Sequence, residues 1–192
     1  MKIEARHNTW TRDRTSTKVR RALTTGLSAV LLAGGGWFVT ASTAHAVRAT
    51  PRCTTPQLHV VHAGSDGTAG TMYHLLRYTN TSHRTCTLRG YPGISFTDGQ
   101  GHTLGLPARP SLIGADSVQL VTLPPDTSAH GTFAVPNPDN YSPTDCRPAT
   151  TSYLRVQAPG SHASVPVPFT TQVCTTGTGR ATVGPISTGP TW

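Results

Sequence analysis

TSYLRVQAPGSHASVPVPF, residues 151–169, decides the fold class. Two β-rich runs, 151–158 and 164–169, flank Pro159-Gly160-Ser161-His162, and Pro-Gly between such runs is a turn signal. In the second run Val165, Val167 and Phe169 alternate with Pro166 and Pro168. A period of two puts the apolar residues on one face and the prolines on the other. Proline has no N–H to give to a ladder, so this run is expected as an edge strand with its prolines outward. The unit reads as a β-hairpin.

Similar short runs lie at 57–63, 71–80, 85–90, 93–98, 101–106, 117–123, 130–135 and 171–174, with a last one in 180–186. No helical pattern of useful length follows residue 50. Gly, Pro, Asn and Asp separate the runs at intervals of about ten residues, the signature of a sandwich or barrel. The expectation is an all-β protein, an immunoglobulin-like antiparallel β-sandwich of about eight to ten short strands. It occupies 53–187, after a short segment 47–52 and before a tail 188–192. A second hairpin is read from 57–63 and 71–80, joined by the loop AGSDGTAG (63–70).

All four cysteines, Cys53, Cys86, Cys146 and Cys174, fall within this span. An even number in an exported chain points to two disulfides. The hairpins suggest the pairing. With Leu154 opposite Val167, an unbroken antiparallel register brings Cys174 to within one residue of Cys146. With Val60 opposite Leu76, Cys53 comes within three positions of Cys86. Cys53–Cys86 and Cys146–Cys174 are therefore expected, each closing a loop of about thirty residues and worth ~3.5 kcal/mol in the chain-entropy account.

Residues 1–46 read as a signal peptide. Basic residues run through Arg6, Arg12, Arg14, Lys18, Arg20 and Arg21, an apolar stretch follows from Ala22 to Val39, and Ala44-His45-Ala46 is an A-x-A cleavage signature. A retained membrane anchor is the competing reading; Gly34 to Gly36 and the small-residue exit weigh against it. Arg20-Arg21 hints at twin-arginine export, but Leu23 is followed by Thr24, so ordinary secretion is favoured. No cysteine sits at the cleavage point to take a lipid anchor. The leader also distorts the charge. The whole chain is +8, whereas residues 47–192 carry nine Arg against six Asp. Those arginines are scattered, so no nucleic-acid partner is expected. After cleavage no membrane contact is expected, and the protein should be a secreted or wall-associated monomer.

The part after residue 46 contains neither Lys nor Glu, which excludes a lysine Schiff base and leaves Asp as the sole carboxylate. It has no G-x-S-x-G, H-E-x-x-H or C-x-x-C. His59 and His62 form H-x-x-H but lie on opposite faces of a strand. His62 and His74 are placed to meet across the first hairpin, with Asp66 in its loop, and solvated imidazoles are the favoured reading there. Asp98-Gly99-Gln100-Gly101 is a hairpin turn, not a calcium loop. No catalytic residue, metal or cofactor is assigned.

NTSHRTCTLRGYPGISF (80–96) reads as a strand with a stapled cysteine followed by a turn. Tyr91-Pro92-Gly93-Ile94 fits a type II turn with Gly93 at positive φ. Tyr91 is then left free as an aromatic contact. Asn80-Thr81-Ser82, Cys86-Thr87-Leu88 and Gly90-Tyr91-Pro92-Gly93, with Val121-Thr122-Leu123-Pro124-Pro125-Asp126-Thr127-Ser128-Ala129 further on, resemble the pattern of the secreted actinobacterial family called domain of unknown function 4232. Pro125 stands where that pattern more usually has glycine. The resemblance covers about 53–186 and implies a secreted β-sandwich with no assigned activity.

The function expected is that of a non-catalytic binding module, with a cell-envelope component or an extracellular protein as partner. Its contact loops would be 63–70, 106–116 and 136–145, with Tyr141 as the best anchor. One rival is a protease inhibitor presenting LPARPS (106–111) with Arg109 at the contact. The other is a small hydrolase using His and Asp.

Overall fold

The computed structural model describes residues 49–68 and 70–190. The expected signal peptide, the start of the 47–52 segment and the end of the tail lie outside the described residues.

Among these residues eleven strands follow in order: β1 (Leu58–Thr68), β2 (Thr71–Asn80), β3 (Cys86–Arg89), β4 (Gly93–Thr97), β5 (Thr103–Leu104), β6 (Arg109–Pro110), β7 (Leu120–Leu123), β8 (Ser128–Pro136), β9 (Pro148–Gln157), β10 (Val165–Cys174) and β11 (Thr182–Val183). One sheet has the order β1-β2-β8-β11-β6, a second β10-β9-β4-β5, and β3 pairs with β7. Every pairing is antiparallel except β11 with β6. The expected antiparallel β-sandwich is the architecture observed. Leu76, Tyr78 and Phe133 from the first sheet, Ile94, Leu154 and Val167 from the second, and Leu88 and Val121 from the β3–β7 pair belong to one buried cluster. A single core therefore closes all three sheets.

The β9–β10 hairpin has the register read from sequence, Leu154 opposite Val167. β10 is the edge strand of its sheet, with Val167 and Phe169 buried and Pro166 and Pro168 exposed. The first hairpin differs. Val60 faces Tyr78, not Leu76, and the register shifts between His62 and Gly64. Most of AGSDGTAG is strand, because β1 pairs with β2 out to Thr68 opposite Thr71.

The disulfides are Cys53–Cys86 and Cys146–Cys174. The first is not set across the end of a continued hairpin. Residues 51–53 instead run parallel to β3, with Cys53 N–H donating to the Thr87 carbonyl and Thr87 N–H to that of Pro51, both at 2.9 Å. The turn after β3 also departs from expectation. Gly90, at φ 106°, supplies the positive φ, while Gly93 opens β4 opposite Gln157. A type II turn over 91–94 would take Gly93 out of that ladder.

Candidate functional site

Strand parity builds a cleft at one end of the sandwich. On β2 the residues facing the core are Tyr78, Leu76, His74 and, past the last fully buried one, Met72. On β1 the matching residues are Val60 and His62, then, beyond the bulge, Ser65 opposite His74 and Gly67 opposite Met72. His62 and His74 are thus diagonal neighbours, a separation aromatic side chains can bridge. Their ring centroids are 5.4 Å apart. Phe133 of β8 stacks on His74 at 4.9 Å, and Phe169 of β10 meets the same ring edge-on at 4.8 Å. The resulting cleft of about 460 Å³ is lined by His62, Ser65, Met72, His74, Phe169 and Thr171, among others.

The electrostatics of the cleft follow from burial. His74 is 5 % exposed. Neither of its ring nitrogens, nor Nε2 of His62, has a hydrogen-bond partner among the described residues. Burial, and then the nearness of His62, pushes the His74 pKa down from 6.5 to about 4. Burial also lowers that of His62, partly offset by a backbone hydrogen bond at Gly64. Both imidazoles are neutral at neutral pH and keep free lone pairs, the state a metal ion requires.

Asp66 does not join them. It lies on the outer face opposite Tyr73, and its carboxylate accepts from the Gly67 N–H at 2.8 Å. His59 is exposed on that outer face too, so H-x-x-H is divided between faces as read. Among the described residues no three His, Cys, Asp or Glu side chains are grouped to hold a metal ion. Sequence reasoning brought the two histidines together but read them as solvated, whereas His74 is buried, and it missed Met72 and the phenylalanines. The available signal was the i, i+2 spacing of Met72 and His74 within 71–80.

The other candidate residues are dispersed. Tyr91 is partly buried in the connection between β3 and β4. Tyr141 is half-buried: a Cβ on Gly179 would meet its ring at 2.6 Å and the Cys174 sulfur at 3.1 Å, so ring and disulfide both pack against that glycine. Loop 136–145 is otherwise a 3₁₀ turn, Pro138–Asn140, and a single helical turn, Pro143–Cys146. Arg109 is exposed, but its backbone is committed. Arg109 N–H donates to the Ala181 carbonyl at 3.0 Å and Ser111 N–H to that of Val183 at 2.9 Å. An imidazole–carboxylate contact occurs between His102 Nδ1 and Asp98 Oδ2, 3.0 Å apart in the exposed β4–β5 turn. Among the described residues no hydroxyl is hydrogen-bonded to that imidazole to complete a nucleophilic relay.

Fold and site together define a disulfide-stapled β-sandwich domain with an inward-facing histidine cleft at one end. The family model for Domain of unknown function (DUF4232) matches residues 53–187. The chain belongs to that family. No curated protein and no solved structure matches it.

Proposed function

We propose that this is an exported actinobacterial protein whose domain works as a monomer by binding an extracellular protein rather than by turning over a substrate. The A-x-A leader and two disulfides support export. The Arg-rich, almost Lys-free composition supports the source. The observation that carries the binding reading is the surface of 106–120. Leu106, Leu112 and Leu120 are 48 %, 53 % and 61 % exposed there. The middle of this segment is fixed to β11 by the Arg109 and Ser111 N–H bonds, so it is held ready for contact. Exposed leucines suit an apolar protein surface. A glycan would look for exposed aromatic rings, and this segment has none. The same backbone commitment argues against a protease-inhibitory loop, which needs free main-chain groups to pair with the protease.

A second reading rests on Tyr153, 40 % exposed beside Arg155 in a shallow depression on the outer face of β9. That platform suits a wall glycan. The test is co-sedimentation with isolated envelopes, across a salt series, alongside binding to the secreted proteins of the producing organism. Binding to one secreted protein, abolished in an L106D/L112D/L120D variant of unchanged melting temperature, is the expected result. Salt-resistant envelope binding lost only in Tyr153→Ala would replace it with the glycan reading. Turnover of an ester, peptide or glycan substrate that disappears on changing one His would overturn both.

A further inference from the structure

The histidine cleft has a chemistry of its own, independent of the contact surface. Three observations converge there. The lone pairs of His62 and His74 are unpartnered, and His74 is nine-tenths or more buried while lining an open cleft. Unsatisfied buried polar atoms are costly, by about 1–3 kcal/mol each, and call for an explanation in a folded protein. The 5.4 Å centroid separation falls in the range of about 5–6 Å that two imidazoles adopt when each binds one ion at about 2.0–2.1 Å. Finally, Met72 lines the same cleft, and its sulfur lies over Gly67, where a Cβ would come within 2.8 Å of it.

We propose that His62, His74 and Met72 form a binding site for one Cu(I) ion. The donor set selects the metal. Zinc sites take three or four ligands from Cys, His, Asp and Glu. Here the two imidazoles gain no third such group among the described residues. Two imidazoles and a thioether are a soft, low-coordinate set, which suits Cu(I). Phe133 and Phe169 pack against the His74 ring and fix its orientation, the task an outer shell performs at a metal site.

The test is competition for Cu(I) between the purified protein and a chromophoric Cu(I) chelator, with X-ray absorption on the loaded protein. One Cu(I) per chain, with a sulfur scatterer, is expected. Losing outer-shell support alone weakens metal sites by about 10–100-fold, so His62→Ala and Met72→Leu should each weaken Cu(I) binding by at least about tenfold. Both residues are partly exposed, so these variants are expected to fold; circular dichroism checks that they do. Met72→Leu should also remove the sulfur signal and leave any Zn(II) binding unchanged. The proposal is overturned if the protein takes no Cu(I) from the chelator. It also fails if an H62A/M72L double variant retains copper undiminished, or if Zn(II) binds as tightly as Cu(I).

Discussion

The Asn80 side chain is buried and engaged at both ends. Its Nδ2 donates to the carbonyls of Arg84 and Leu123, each at 2.9 Å, and its Oδ1 accepts from the N–H and hydroxyl of Ser82. It ties the end of β2 to the approach to β3 and to the end of β7. Asn80→Ala strands these partners and should cost about 1–3 kcal/mol. Asn80→Asp should cost at least as much, since a carboxylate cannot donate and its charge would be buried. Urea midpoints at unchanged slope measure both. His74 makes a prediction about pH. Its pKa is lowered from 6.5 to about 4 on folding. Below the unfolded value only the unfolded chain takes up the proton. The stability tied to neutral His74 is therefore whole above pH 6.5 and drains away as pH falls toward 4. The loss should approach about 3 kcal/mol at the acid end. Urea titrations of chelator-treated protein between about pH 8 and pH 4 should show it. A His74→Phe variant, apolar between Phe133 and Phe169, should lose most of that slope.

Secondary elements differed in how openly the sequence announced them. β2 stands where the residues placed it, and β9–β10 has the expected register, because alternation and a Pro-Gly turn are local signals. The Gly, Ser and Asp of 63–68 look like a loop but are drawn into β1, since β2 is held on its other side by β8 and offers its whole length as a template. β6 was illegible: it has two residues, one of them proline, and its partner in β11 lies far along the chain. The histidine pair was legible from the hairpin. Its third donor was not, because a methionine two places from a histidine looks like any strand residue. The Cys146–Cys174 bridge joins the one-turn helix Pro143–Cys146 to the end of β10, with Gly179 packed against its sulfur. Replacing both cysteines by alanine should lower stability by ~3.5 kcal/mol. The melting temperature should fall accordingly, while the far-ultraviolet signature of the strands is retained.

At the level of the molecule, one core shared by three sheets makes the domain a single cooperative unit with mostly non-local contacts, a topology that folds slowly. The placement of β11 adds a temporal constraint. This short strand lies between β8 and β6, and the segment just after it returns to His130 through paired bonds with Ser187. Residues synthesised later therefore seal a strand synthesised some fifty residues before them. A nascent chain stopped before Ala181 would leave the β8 edge open, with Phe133 lacking its cross-strand partner Val183. Such an intermediate presents an unpaired edge to its neighbours. The domain's exposure to aggregation is thus governed by the order in which its segments emerge, and a chaperone that shields the β8 edge until β11 arrives would be guarding the step on which the domain's closure depends.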